Sequence, residues 1–231
     1  MAEQRRTPTQ QRGQVTQQAV VDGAARVFDR IGFGSASLSM IAEASGISQG
    51  AMYFHFKSKE QIALAVIHEQ HARSLPLMAE IERQHDGVIE KLIYISRGMV
   101  GQLQEDATVR AGIRLAMEKG TLGEPAAEFY EDWIAGTAGM LEPALNSGEL
   151  NSQLQSADLA RTLIAFFTGV QVTSQATTER DDLLSSVKNM WALLIDAIVP
   201  SHGRAQATVA LNDAFEPRVS RSRTLTKPKR A

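Results

Sequence analysis

Between Ser37 and Phe56 the chain reads Ser-Leu-Ser-Met-Ile-Ala-Glu-Ala-Ser-Gly-Ile-Ser-Gln-Gly-Ala-Met-Tyr-Phe-His-Phe, and Lys57-Ser-Lys-Glu60 follows. Few local structures suit this segment. Ser37 or Ser39 caps a short helix that carries Met40, Ile41 and Ala44. Ser45-Gly46-Ile47 makes a turn, with Ile47 pointing back towards a core. Ser48 caps a third helix running to about Phe54, and Ser58 starts a longer one with Glu60 near its positive end. Two short helices joined by a glycine turn have the form of a helix-turn-helix, which seats its second helix in the DNA major groove.

The flanking sequence is helical in pattern. Residues 1–12 are polar, contain Pro8 and read as a flexible arm with Arg5, Arg6 and Arg12. From about Gln14 to Ile31, the apolar positions Val20, Ala24, Val27, Phe28 and Ile31 share one helix face, and Gly32-Phe-Gly34 ends it. Further helices are expected near 58–84, 88–104, 108–118, 125–147, 156–175 and 180–199. In the last of these, Leu183, Leu184, Val187, Met190, Trp191, Leu194, Ile195 and Ile198 form a wide apolar stripe closed by Pro200. No alternating strand pattern competes, so the expected fold class is all-α. A helix-turn-helix domain is expected over 13–57, a larger helical domain over 58–202, and a basic disordered tail over 203–231.

Charge is divided along the chain although the formal net value is only −2. Residues 1–60 carry 7 Lys/Arg against 5 Asp/Glu, residues 61–202 carry 10 against 19, and residues 203–231 carry 7 against 2. An acidic body is repelled by DNA, so the ends are the parts expected to approach phosphates. The absence of cysteine excludes disulfides, thiolate catalysis and Cys-ligated zinc. No apolar run approaches the ~20 residues of a membrane span. Without a visible secretory signal, a cytoplasmic protein is expected.

Candidate DNA contacts follow from the chemistry of base edges and phosphates. Gln49 pairs bidentately with adenine in favourable geometry, while Gly50 and Ala51 permit close approach and contact with thymine methyls. Tyr53, His55 and the hydroxyls of Ser37, Ser39 and Ser48 are candidates for phosphate oxygens, as is Lys59 from the next helix.

The segment also resembles the N-terminal signature of the TetR family of bacterial repressors. The matching residues are Val27-Phe28, Gly32, Ile41-Ala42, Gly46-Ile47-Ser48, Gly50, Tyr53, His55-Phe56 and Ser58-Lys59-Glu60. The resemblance implies an Ω-shaped homodimer that binds double-stranded operator DNA, with its last two long helices forming a four-helix interface. It further implies a cavity for a small-molecule inducer in each monomer, and no cofactor. A finer similarity, to the γ-butyrolactone receptors of actinomycetes, rests on Ala51-Met-Tyr-Phe-His-Phe56, Ala111-Gly-Ile-Arg-Leu-Ala116, Trp133, Gly169, Met190-Trp191 and Ile198-Val-Pro200. Those proteins repress antibiotic-pathway genes until a diffusible lactone or furan binds. That group often has lysine at the position of Gln49, so a different operator preference is implied here.

The resemblance places Trp133 on the wall of the inducer pocket. Phe166 and Phe167 would be further walls, with Thr168, Gln171, Tyr130 and Tyr94 as polar anchors for a carbonyl, hydroxyl or carboxylate. Trp191 is assigned to core or dimer interface. An enzyme is not expected: there is no Gly-x-Ser-x-Gly, no P-loop and no complete dinucleotide loop. His68 and His71 have the spacing to share a metal, but no third ligand accompanies them, and they are read as solvated surface without a metal role.

Overall fold

The computed structural model describes residues 8–118, 122 and 124–216. All regular structure among them is helical. The long helices are α1 (Pro8–Ser35), α4 (Lys59–Gln84), α5 (Val88–Glu105), α7 (Glu124–Ser147), α8 (Ser156–Thr178) and α9 (Leu183–Ile198). Shorter ones are α2 (Leu38–Ser45), α3 (Gln49–His55), α6 (Ala107–Ala116) and α10 (Arg204–Phe215).

The first three helices close on a small core because their apolar faces are short and complementary. Val20, Ala24, Val27 and Phe28 of α1 are buried with Ile41 and Ala42 of α2 and Met52 of α3. Gly23 lets α2 come close: a Cβ there would lie 2.7 Å from Ser45. Gly32 interrupts α1 with φ 75, a left-handed value that glycine adopts freely. Ser37 is the cap of α2, accepting from the Met40 amide, and Gly46 ends that helix at φ 66. Ser48 caps α3 by accepting from Ala51 N at 3.3 Å, and Ser58 caps α4 by accepting from Gln61 N at 3.3 Å.

α4 joins this unit to the rest of the molecule. Its buried residues Ile62, Ala63, Val66 and Ile67 face the first core, while Gln70 and Ser74 face α5 and α6. Ion pairs add direction to the joint. Arg73 on α4 reaches Asp22 of α1 at 2.9 Å and Asp106, the cap of α6, at 3.0 Å. Burial raises the Asp106 carboxyl, but Arg73 and the amides of Thr108 and Val109 outweigh it and hold the group below its ordinary value. Arg110 on α6 pairs with Asp29 on α1 at 2.8 Å.

Two sequence expectations about chain ends need correction. The arm expected over 1–12 is helical from Pro8, as α1 begins four residues before the expected limit; residues 1–7 lie outside the described residues. The disordered tail expected over 203–231 contains α10, whose Ala207, Ala210, Leu211 and Phe215 are buried against α5 and α9. The remainder of that stretch, 217–231, lies outside the described residues.

Candidate functional site

The helix-turn-helix presents a polar, uncovered face. Gln49, Gly50 and Ala51 are exposed at the start of α3, and a Cβ at Gly50 would meet nothing within 4 Å. Met52 and Phe56 point inward and anchor the helix. Tyr53 is 45% exposed and Phe54 79% exposed, so neither is the core residue that aromatic character alone suggests. The His55 ring is half-buried and packs edge-on against Phe54 at 5.3 Å. Ser37 and Ser39 share a hydrogen bond of 2.9 Å between hydroxyls on the exposed start of α2.

Lys59 departs from its expected role. Its ammonium donates to the carbonyls of Phe33 and Ala36, each at 2.8 Å, and sits 4.3 Å from the Phe33 ring centroid. It therefore fastens the end of α1 to the start of α4 instead of standing free for a phosphate. Lys57 is exposed, and its ammonium donates to the Tyr53 carbonyl at 3.1 Å.

The second site is a cavity of about 300 Å³ enclosed by α4 to α9. Trp133, Tyr130, Phe167, Thr168 and Gln171 all line it. The aromatic wall is built around Phe129, whose ring centroid lies 5.4 Å from Tyr130, 5.6 Å from Trp133 and 5.9 Å from His71. Met78, Met99, Met140 and Met190 join leucines and isoleucines in the rest of the lining, and such flexible side chains adapt their shape readily. Glu82 and Asp132 are exposed residues of the lining and make its mouth acidic.

Two expected wall or anchor residues lie elsewhere. Phe166 is 38% exposed and outside the cavity lining, because it precedes the inward-facing Phe167 by one residue and is rotated about 100° from it. Tyr94 stacks on His85, with ring centroids 4.1 Å apart, and is also outside the lining. Conversely, His71 lines the cavity instead of standing in solvent; His68 is exposed. Trp191, only 2% exposed, is core as expected but also lines the cavity.

Polar chemistry in this apolar space is sparse. The Tyr130 hydroxyl and the Trp191 indole Nε1 are both buried without a hydrogen-bond partner of good geometry. Burial raises the Tyr130 hydroxyl above its ordinary pKa, with the Thr168 hydroxyl pulling weakly the other way, so Tyr130 is a neutral donor. An unpartnered buried donor is costly, and a bound acceptor would remove that cost. The cavity thus suits an apolar, uncharged molecule carrying one or two oxygen acceptors.

Residues 20–66 match the model of bacterial regulatory proteins of the tetR family, and residues 87–200 match that of the tetracyclin repressor-like C-terminal domain. The chain belongs to the TetR family. Within that family it is 35% identical over 190 residues to the A-factor receptor protein of Streptomyces griseus, a match spanning 82% of this chain and 66% of the receptor. A solved γ-butyrolactone receptor described as ArpA-like superposes with a TM-score of 0.74 at 26% identity, covering 88% of this chain and 98% of the other. CprB of Streptomyces coelicolor, solved in complex with its biological operator sequence, gives 0.74 at 26% identity over 89% and 99%. Among the described residues, no helix is long and apolar enough to cross a membrane.

Proposed function

We propose that this protein is a transcriptional repressor that binds a palindromic operator as a homodimer. Its release signal is a small diffusible γ-butyrolactone, butenolide or furan, and its targets are antibiotic or other secondary-metabolite genes. The observation that carries this reading is the apolar cavity, whose lining residues Tyr130 and Trp191 each hold a buried polar atom without a hydrogen-bond partner of good geometry. A lactone carbonyl or ring oxygen satisfies such donors, and an alkyl chain fills the methionine-lined space. The acidic mouth formed by Glu82 and Asp132 favours neutral molecules over carboxylates.

Operator binding falls to α3, with Gln49, Gly50 and Ala51 at base edges and Tyr53, His55, Ser37, Ser39 and Ser48 near phosphates. Lys59 contributes indirectly, by holding α1 against α4. α4 is the mechanical link. It starts directly after α3 and contributes His71, Leu75, Met78 and Glu82 to the cavity, so one helix, with Pro76 inside it, runs from one site to the other. A ligand acts by binding better to a dimer shape in which the two α3 helices no longer match successive major grooves. The exposed apolar residues Phe166, Val172 and Leu193 on α8 and α9 are suited to the four-helix dimer contact.

Trp133→Ala separates the two activities. Operator affinity, read by fluorescence anisotropy, is expected to stay within about threefold of wild type, and release by a γ-butyrolactone to be lost. A folded variant that loses operator binding contradicts this division of labour.

A further inference from the structure

Beside the apolar cavity, and sharing only Ile113 and Gln171 with it, lies a polar cleft of about 830 Å³. Its walls come from α1, the end of α5, α6, the second half of α8 and the turn after it, with Arg30, Arg110, Arg114 and Arg180 among the lining residues. Two of these cations are engaged within the fold. Arg110 pairs with Asp29 at 2.8 Å, and Arg114 donates to the Asp29 carbonyl at 3.2 Å.

Arg180 is different. Among the described residues its side chain makes no hydrogen bond or close ion pair, and its Nε is buried without a partner. Burial first, and then the neighbouring Arg110 charge, pull its guanidinium below the ordinary value, with Asp29 pulling it back. Its backbone is equally unusual. Glu179 and Arg180 both have left-handed φ, 53 and 75, in residues with side chains that disfavour it. The turn is nevertheless held firmly: Asp182 accepts from Ser174 Oγ at 2.5 Å and from Thr178 Oγ1 at 2.6 Å. The fold thus fixes a partly buried cation in a roomy cleft, with no hydrogen-bonded acceptor among the described residues and only the longer-range pull of Asp29. Of the carboxylates that also line the cleft, Asp29 is taken up by Arg110, and Glu179 and Asp181 are exposed, as is Arg30.

We propose that this cleft is a second effector site, which takes a small carboxylate or phosphate anion with Arg180 as its principal partner and Arg30 as a second. An anion here bridges the end of α8 to α1, the first helix of the DNA-binding unit, and so changes the orientation of that unit and its operator affinity. The acidic mouth of the apolar cavity makes the two sites select opposite chemistries. This inference stands apart from the lactone reading, and its test uses neither DNA nor lactone.

The test is thermal unfolding at constant ionic strength in chloride, with inorganic phosphate or citrate substituted in separate arms. Wild type is compared with Arg180→Asn, in which asparagine suits the left-handed backbone, and with Arg83→Gln, which removes the same charge outside the cleft. At ten times the dissociation constant, wild type and Arg83→Gln are expected to gain about 3 to 6 °C, and Arg180→Asn none. A gain with phosphate alone identifies a phosphate ligand, and one with citrate alone a carboxylate. Calorimetric titration of Arg30→Gln is expected to show affinity for the same anion weakened about three- to tenfold. An equal gain in all three proteins, no gain in any, or unchanged affinity in Arg30→Gln overturns the assignment.

Discussion

Tyr130 illustrates how a single side chain separates ligand affinity from folding stability. Its hydroxyl is buried without a partner of good geometry in the free protein, so removing it takes away a poorly satisfied hydrogen-bonding group and only a weak interaction with Thr168. Tyr130→Phe is therefore expected to leave the melting temperature of the free protein unchanged or slightly higher. Lactone affinity should fall about two- to tenfold, the range for one lost hydrogen bond. Calorimetry of both properties checks the pair; a destabilised free protein with normal ligand affinity would show that the hydroxyl serves the fold. At this scale the sequence was legible in part. Trp133, Tyr130, Phe167, Thr168 and Gln171 could be placed by resemblance and helix spacing, and all line the cavity. Phe166 could not be told from Phe167, since neighbouring residues on a helix differ by about 100° and either could face inward. Lys59 was misread because its partners, the carbonyls of Phe33 and Ala36, are backbone groups far back in the chain that no side-chain pattern announces.

Helices carried most of the legible information. The stripe on α9 and the capped starts of α2, α3 and α4 are written in apolar spacing and in Ser37, Ser48 and Ser58. α10 was missed for a physical reason. Its buried positions Ala207, Ala210, Leu211 and Phe215 do recur at helical spacing, but two are alanines, and basic residues dominate the sequence that follows. The packing of α10 on α5 and α9 makes it part of the larger domain. Leu211→Ala, a buried truncation at that contact, is expected to cost about 2 to 5 kcal/mol in denaturant unfolding. A loss below about 0.5 kcal/mol would mean that α10 contributes little to the fold.

For the molecule as a whole, the arrangement places two chemically distinct sites at opposite ends of α4. One is a polar recognition face with small residues at its centre, and the other an apolar cavity with a few buried donors. In the proposed mechanism, dimerisation turns movement of α4 into a change in the spacing of the two α3 helices, and Leu193, 65% exposed on α9, lies on the face proposed for the contact. Leu193→Glu is expected to shift the protein to monomer in light scattering and to weaken operator binding at least tenfold. A stable dimer with normal operator affinity would place the interface elsewhere. The central claim, ligand-released operator binding, is tested most directly by titrating the purified protein against the DNA upstream of its own gene, with competitor DNA, and repeating the titration with an organic extract of the producing culture. The account predicts a specific complex that the extract dissociates; a specific complex that neither the extract nor a γ-butyrolactone dissociates, or no specific complex even at low salt, would contradict it.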